Sequence, residues 1–269
     1  QYLLADALAS LGEYEKSLEL FEKLVMEGQP EECFLVSEIS VLVDYAVELY
    51  HQGYLLKAVD IAVKSIKKIE IVLCSFSSEL YTVWTSLSKA LRIFVTIESQ
   101  IDKLPVDTLV NIFNQISLIE EDTVFEIDNV SLDTILSDDT ADNMSIALKF
   151  VILSAKYPIL AKNFEDSSRT LKASLLYNLG CAELLCYMTI NGQDYCDAAI
   201  KAFKDAISYQ SNNAEAWIGM GIATMDKNYK VSQHCFIKAI VTSPKEIAGW
   251  HCLALLALKN NDTEMTHSI

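Results

Sequence analysis

Two histidine–cysteine pairs, His234-Cys235 and His251-Cys252, are the residues of this chain whose types could bind a transition metal. Neighbouring side chains on a helix point about 100° apart, so one pair cannot chelate an ion as two histidines separated by one helical turn do. The two pairs belong to different stretches of the sequence, so a joint site would depend on how those segments pack. A cysteine in an apolar helix packs as a small hydrophobic side chain. We therefore favour packed or surface residues over a zinc site, and we expect neither a metal nor another cofactor.

A short glycine motif, Gly219-x-Gly221, is the second pattern with possible chemistry, but Thr224 stands where a dinucleotide fingerprint has its third glycine. No strand is predicted before it, and small residues that let two helices approach closely explain it as well. The sequence also lacks a phosphate loop, a Gly-x-Ser-x-Gly elbow and a His-Glu-x-x-His helix. An enzyme hidden within 98–170 is the remaining alternative, and that stretch contains neither histidine nor cysteine. The sequence therefore predicts a non-catalytic protein.

The charge balance disfavours nucleic-acid binding, because 21 lysines and arginines face 37 acids and give a formal net charge of -16. Affinity for RNA or DNA rises with each phosphate that a lysine or arginine neutralises. One basic cluster exists, at Lys64, Lys67 and Lys68, and it lacks the interleaved aromatic residues of a base-stacking platform. We favour a solvated helix face there. Direct RNA binding stays open as an alternative, and it predicts salt-sensitive affinity that depends on these lysines.

The elements that position these residues are repeats. Trp217 and Trp250 begin two copies of one pattern. The second half of that pattern is Phe236, Ala239 and Pro244, and one copy earlier it is Ala199, Phe203 and Ala206, with the same spacing from phenylalanine to alanine. This is the signature of the tetratricopeptide repeat (TPR), a helix–turn–helix unit with a period of about 34 residues. Such a unit cannot bury its apolar face alone, so neighbouring units must stack.

The N-terminal part repeats less regularly. Gly12 follows Ala5 with the same spacing with which Gly53 follows Ala46, and the shift from Gly12 to Gly53 is longer than the ordinary TPR period. A third copy starts at Trp84, and the sequence shows no second half for it. Only eight glycines and four prolines occur, which is few for a strand-rich fold. The predicted fold class is all-α, a TPR superhelical solenoid of antiparallel helix pairs.

Three regions are predicted along the chain. Residues 1–97 form TPR repeats, the first truncated and the third degenerate, and 171–269 form TPR repeats of which the last is truncated. Residues 98–170 form a helical connection with an acidic, partly disordered insertion at about 118–144, because no lysine or arginine occurs from 104 to 148. Within the connection, apolar spacing predicts an amphipathic helix from 106 to 119.

One repeat is longer than the others. Gly180 and Ala199 stand further apart than the same two positions of an uninterrupted repeat, and the excess is seven positions. The stretch at 190–194, which contains Asn191 and Gly192, predicts that a lengthened turn accounts for the difference.

The seven cysteines indicate the compartment. Their number is odd and no Cys-x-x-Cys occurs, which favours buried thiols in a reducing compartment. The sequence shows no charged-then-apolar leader and no uninterrupted apolar run of about 18 residues, so we expect neither a signal peptide nor a membrane span. The chain starts within a helical pattern and without an initiator methionine, so we expect an internal segment of a longer protein.

The stretches at 211–217 and 233–240, followed by Trp250, resemble the tetratricopeptide scaffold subunits of superkiller (Ski) complexes. The Gln-His-Cys-Phe-Ile-Lys string at 233–238 carries the resemblance, because it is much rarer than the repeat consensus. The interrupted repeat before that string is similar too. The specific resemblance covers about 171–258, whereas 1–97 fits only as generic repeats.

The resemblance implies a large, all-helical scaffold without catalytic positions, located in the cytoplasm, with the nucleus as a second compartment. It implies that the scaffold holds a DExH-type RNA helicase and WD40 β-propeller subunits, and that it serves 3′–5′ mRNA decay and surveillance with the exosome. The exosome and the ribosome would be indirect partners, and neither RNA contact by this segment nor a membrane is expected. The alternative is a TPR scaffold of another assembly, of the co-chaperone or ubiquitin-ligase type, although a co-chaperone clamp has thin support from Asn178 alone.

The candidate protein-binding residues lie on first helices, which line the concave groove of TPR arrays. They are the positions not assigned to packing in the Trp217 and Trp250 repeats: Glu215, Ile218, Ile222, Met225, Asp226, His251 and Leu255. Exposed apolar side chains there would suit a partner helix or an extended peptide. The alternative is that neighbouring repeats of the same chain fill the groove.

Overall fold

A computed structural model describes residues 2–27, 32–75, 81–119, 142–161 and 164–262. Within these residues every regular element is a helix, which agrees with the predicted all-α class. The helices are α1 (Tyr2–Ser10), α2 (Tyr14–Glu27), α3 (Glu32–His51), α4 (Leu55–Ser75), α5 (Tyr81–Thr96), a 3-10 helix (Glu98–Lys103), α6 (Val106–Ile119), α7 (Asn143–Leu160), α8 (Arg169–Ile190), α9 (Gln193–Tyr209), α10 (Ala214–Thr224), α11 (Tyr229–Thr242) and α12 (Ile247–Lys259). The predicted acidic insertion, about 118–144, lies outside the described residues except at its two ends.

The chain forms two compact units, Gln1–Pro158 and Ile159–Ile269, which we call unit 1 and unit 2. In unit 1, α1 pairs with α2 and α3 with α4; in unit 2, α8 pairs with α9 and α10 with α11. The domain boundaries predicted from the sequence, at 97/98 and 170/171, stay predictions.

The first two hairpins of unit 1 end their first helix in the same way. Gly12 and Gly53 have φ of 80° and 82°, in the left-handed region that favours glycine. In the first hairpin the Glu13 N–H donates to the Leu8 carbonyl at 2.9 Å, and in the second the Tyr54 N–H donates to the Leu49 carbonyl at 2.9 Å. This is the Schellman arrangement that satisfies the last carbonyls of a helix. The two glycines that mark the repeat in the sequence therefore make its turns.

The helix pairs interlock through small and aromatic side chains. The Ser17 hydroxyl donates to the Ala5 carbonyl oxygen at 2.6 Å, and the Ser232 hydroxyl donates to the Gly221 carbonyl oxygen at 2.8 Å. Both serines are completely buried, so the second helix of each pair lies directly against the first. The small residues of the pattern thus serve close packing of the two helices.

Helix α5, where the third repeat begins, packs against four other α-helices of unit 1. Helix α5 packs on α3 and α4, and α6 packs on α4. The rings of Trp84 and Phe113 lie 5.5 Å apart and those of Trp84 and Tyr157 lie 4.2 Å apart, so α5 contacts both α6 and α7. The Phe113 ring also stacks with that of Phe150 at 5.4 Å. The helix predicted from 106 to 119 is confirmed, and the aromatic cluster joins it to α5 and α7.

The prediction of a lengthened turn at 190–194 is wrong. Helix α8 continues to Ile190 and α9 begins at Gln193, so only Asn191 and Gly192 link them. Asn191 adopts a left-handed φ of 53°, and its N–H donates to the Tyr187 carbonyl at 2.8 Å. Seven residues make about two helical turns, so the extra residues lengthen both helices without rotating their buried faces.

Candidate functional site

The tryptophans that define the last two repeats fix the turn before each first helix. The Trp217 indole N–H donates to the Ser211 carbonyl oxygen at 2.9 Å, and the Trp250 indole N–H donates to the Pro244 carbonyl oxygen at 3.1 Å. The ring of His234 on α11 meets the Trp217 ring edge-on, with centroids 6.2 Å apart. These contacts fix the turn before each first helix and join α10 to α11, so the strongest sequence signal is structural.

The glycines of the same repeats are positions of close approach. A Cβ atom at Gly180 or Gly219 would lie within 3.0 Å of the Phe203 ring, and one at Gly221 would lie as close to the Phe236 ring. Both phenylalanines are completely buried. The Gly219-x-Gly221 motif therefore accommodates two aromatic side chains, which accounts for it without a nucleotide.

The two histidine–cysteine pairs lie on different helices, and in each pair the cysteine is more buried than the histidine. Cys235 is 1% exposed, and burial raises its pKa to about 11. Burial also raises the pKa of the half-buried Cys252, while His234 and His251 are exposed. Metal binding needs the thiolate, and burial stabilises the neutral thiol instead. Among the described residues, no group of three or more His, Cys, Asp or Glu side chains is placed to hold a metal ion.

The seven cysteines are all thiols, but they are not uniformly buried as the sequence led us to expect. Cys186, Cys196 and Cys235 are buried, whereas Cys33 and Cys74 are exposed. The Cys196 thiol contacts the Ala223 carbonyl oxygen at 3.2 Å, which links α9 to α10. The compartment inferred from the cysteines stays a prediction.

The predicted groove residues fall into two groups. Ile222 and Met225 are half-buried against a cluster made by α11 and α12: Phe236, Ile240, Leu253 and Leu256. Ile222 also packs against the preceding cluster, which contains Phe203. These two side chains therefore fill the seam between repeats, because the helical rotation turns them away from the outer face. Their role in binding a partner stays a prediction.

The remaining predicted residues lie closer to solvent. Glu215 and His251 are exposed, Leu255 is 46% exposed, and Ile218 is half-buried. Asp226 is exposed and forms an ion pair with Lys259 of α12, so it joins adjacent repeats. Leu255 is the predicted apolar residue that offers the most surface to a partner, and its binding role also stays a prediction.

Sequence reasoning missed a concave surface in unit 1. A cleft of about 900 Å³ is lined by the α1–α2 turn and by side chains that include Tyr14, Tyr45 and Glu48. A second cleft, of about 500 Å³, borders Tyr14 and Asp44. The signal was present, because Asp44 and Glu48 stand one helical turn apart in an otherwise mostly apolar helix.

Two of the described helices, α7 and α8, are long and apolar enough to cross a bilayer by length and composition. Of these windows, 56% and 50% of the residues are buried within the folded chain. Core helices of a stacked helical fold meet the same criterion, so the observation is weak evidence for a span. The absence of a membrane partner stays a prediction.

Known proteins resemble this chain in sequence and in structure. No protein-family model matches the chain. Along all 269 residues the chain is 45% identical to superkiller protein 3 of Saccharomyces cerevisiae, and it spans 19% of that protein. A thermophilic TPR protein of Thermus thermophilus has a structure that is similar with a TM-score of 0.53 at 13% identity, over 95% of this chain and 96% of that chain. The TPR2AB domain of yeast Sti1, in its complex with pHSP90, reaches a TM-score of 0.33 at 12% identity, over 95% of both chains. The likeness to the Thermus protein shows the fold, and the predicted TPR class is confirmed.

Proposed function

Since the chain is homologous along its whole length to a segment of superkiller protein 3, we propose that it is a non-catalytic scaffold segment of a superkiller complex. The observation that carries the proposal is the 45% identity over all 269 residues. The resemblance in the sequence was limited to about 171–258, and the homology extends it to the irregular repeats of unit 1. Stacked helix pairs present large fixed surfaces, which is what a scaffold requires.

In this proposal the whole protein organises a DExH-type RNA helicase and WD40 β-propeller subunits for 3′–5′ mRNA decay and surveillance. The exosome and the ribosome take part indirectly, and the assembly works in the cytoplasm, with the nucleus as a second compartment. The homology supports a protein-binding role, and the identity of each partner is the proposed part.

The surface of unit 1 supports protein binding over RNA binding by this segment. Two of the three lysines in the basic cluster are already paired: Lys64 with Glu22 at 2.8 Å and Lys68 with Glu38 at 2.5 Å. Glu38 is completely buried, so its lysine is held in place. A lysine held by a carboxylate must give up that contact to neutralise a phosphate. The alternative of direct RNA contact is thereby weakened.

The alternative scaffold of the co-chaperone type has no specific support. Asn178, the side chain that could take part in a carboxylate clamp, is 2% exposed on α8. A buried amide cannot meet the end of a partner peptide. The ubiquitin-ligase alternative has no residue of its own that favours it.

Co-purification tests the proposal. The full-length protein is expressed with the helicase and propeller subunits, and Leu255→Glu is compared with Ile237→Glu. The two side chains are matched in exposure, at 46% and 44%, and they lie on the first helix α12 and the second helix α11. We expect Leu255→Glu to reduce recovery of a partner about tenfold, because interface energy is concentrated in a few apolar side chains.

Ile237→Glu introduces the same charge and is expected to leave recovery unchanged. Equal recovery of the partners with both variants would show that the predicted groove does not bind them. Failure of the wild-type protein to co-purify with either subunit would overturn the proposed function itself.

A further inference from the structure

Two clefts of unit 1 share two lining residues, Ser10 and Tyr14. The larger, of about 900 Å³, lies between the α1–α2 turn and the adjoining ends of α3 and α4. The smaller, of about 500 Å³, lies between α1, α3 and the start of α5. Tyr14 lines both. The two clefts therefore form one continuous concave surface, which we call the Tyr14 groove.

The wall of the Tyr14 groove is a fixed aromatic pair. The rings of Tyr14 and Tyr45 stack with centroids 5.2 Å apart and an interplanar angle of 20°. The Tyr45 hydroxyl donates to Glu15 Oε1 at 2.8 Å, and Lys57 Nζ donates to the same oxygen at 2.7 Å. Lys57 Nζ also lies 5.4 Å from the centre of the Tyr45 ring. The pair is thus held in position, and the Tyr45 ring already has a cation beside it.

The charge in the groove is negative and only partly compensated. Asp44 and Glu48 lie one turn apart on α3, so both carboxylates share a helix face. Glu48 accepts from Gln52 Nε2 at 2.7 Å, and within the described residues neither carboxylate has an ion-pair partner. Burial, and then the charges of Asp44 and Glu48, raise the pKa of Tyr14, so both carboxylates act on its hydroxyl.

The lysines that line the groove do not neutralise this charge. Lys57 is bonded to Glu15, and Lys16 is bonded to Glu13 at 2.5 Å. Asp6 of α1 adds a further carboxylate at the smaller cleft. A ligand that complements the groove must therefore be cationic.

We propose that the Tyr14 groove binds an extended, arginine-containing segment of a partner protein, with a guanidinium group against the Tyr14 ring and bonded by Asp44 and Glu48. Arginine fits both features, because its planar group stacks on aromatic rings and forms paired hydrogen bonds with carboxylates. A lysine ammonium supplies the charge without the planar stacking. At the smaller cleft the Ser40 hydroxyl already donates to the Val36 carbonyl oxygen at 3.2 Å, and the Ser37 hydroxyl shares a hydrogen bond with the Tyr2 hydroxyl at 2.8 Å. Their oxygens, with that of Thr82, can accept from the backbone N–H groups of an extended segment.

This inference deepens the proposed scaffold function by naming the chemistry of one partner segment, and it rests on that function only in treating the chain as a protein-binding scaffold. Co-purification with the helicase and propeller subunits reads out the scaffold function, whereas binding of a short peptide reads out the groove. One can fail while the other holds, so their failures are distinguishable.

The test is fluorescence anisotropy of the chain with a labelled peptide of alternating arginine and serine, beside the lysine–serine peptide of equal length. The variant is Asp44→Asn with Glu48→Gln, which removes two charges and relieves a like-charge pair. The matched control is Glu22→Gln with Asp60→Asn, which removes two charges from α2 and α4, where these acids pair with Lys64 and Lys103. Circular dichroism confirms that each variant is folded.

We expect the groove variant to weaken binding of the arginine peptide about tenfold or more, and the control variant to change it by less than about twofold. Tyr14→Ala should weaken it as well, and Tyr14→Phe should not, because the ring is retained. No binding of the arginine peptide at low salt would overturn the proposal. Equal affinity for the lysine peptide, or equal loss in the control variant, would overturn it too, since either shows attraction to net charge alone.

Discussion

At the scale of single residues, the side chains most suggestive of chemistry serve packing in this chain. Cys235 is buried, and the glycines of the Trp217 repeat lie against phenylalanine rings. Their types were readable from the sequence, but their roles depend on which atoms surround them. Burial decides the case for Cys235, because a thiol with a raised pKa is neither a metal ligand nor a nucleophile at neutral pH.

The raised pKa of Cys235 predicts how stability depends on pH. Its ordinary value is 9.0 and its folded value is about 11. Below pH 9 the thiol is protonated in both states and burial costs nothing extra. Between about pH 9 and pH 11 the unfolded chain can lose the proton and the folded chain cannot, so the free energy of unfolding falls as pH rises. Urea unfolding across this range should show the fall, and Cys235→Ala should reduce it.

Cys252 supplies the control, because burial raises its pKa as well and it is only half-buried. Cys252→Ala should reduce the fall less than Cys235→Ala does. An unchanged slope in Cys235→Ala would contradict the burial of this thiol.

At the scale of elements, the sequence predicted those helices whose apolar spacing is uninterrupted. Helix α6 is found at Val106–Ile119 as predicted, because one face is apolar throughout. The end of α8 was missed, since polar Asn191 and Gly192 looked like part of a longer loop. A two-residue link requires a left-handed residue, and asparagine supplies it as glycine does at Gly12 and Gly53.

The last turn of α8 can be tested with proline. Met188 is 68% exposed, so replacing its side chain removes little buried surface. Met188→Pro should destabilise the chain by roughly 3 kcal/mol, because proline removes a helical hydrogen bond and clashes with the preceding turn. Met188→Ala is the matched control and should change stability by less than about 0.5 kcal/mol. Urea unfolding measures both, and tolerance of proline would indicate that this segment is a loop after all.

The candidate groove shows the same limit of sequence reasoning. Periodicity placed Ile222 and Met225 outside the consensus packing positions, yet they fill the seam to the next repeat. The next repeat supplies the atoms that cover them, and a single repeat motif does not contain that information. The Tyr14 groove was missed for a related reason: Tyr14 and Tyr45 belong to two different repeats, and the motif of one repeat does not show that their rings stack.

At the scale of the whole molecule, several polar links between successive repeats recur at one spacing within each unit, although others, such as Tyr45–Glu15, are shorter. In unit 1 the linked residues are 41 to 43 positions apart, as in Lys57–Glu15, Lys103–Asp60 and Asn111–Glu70. In unit 2, Lys259–Asp226 and Tyr229–Asp262 are 33 positions apart. The shift from Gly12 to Gly53 in the sequence therefore matches the spacing of these links in unit 1. The two units stack helix pairs with different periods, and each has its own core.

Because each unit has its own core, we expect a destabilising substitution in one unit to leave the stability of the other unchanged. Phe21 in unit 1 and Phe236 in unit 2 are both completely buried, so each Phe→Ala variant leaves a cavity and should cost about 3–5 kcal/mol in the unit concerned. In a stacked repeat fold each pair contacts mainly its neighbours, so the loss should decay within the unit. Hydrogen exchange followed by mass spectrometry should show reduced protection of α1 to α4 in Phe21→Ala and of α10 to α12 in Phe236→Ala. Each variant is the control for the other. Loss of protection in both units from either substitution would show that they unfold as one cooperative body, and a scaffold of that kind could transmit a change at one partner site to another.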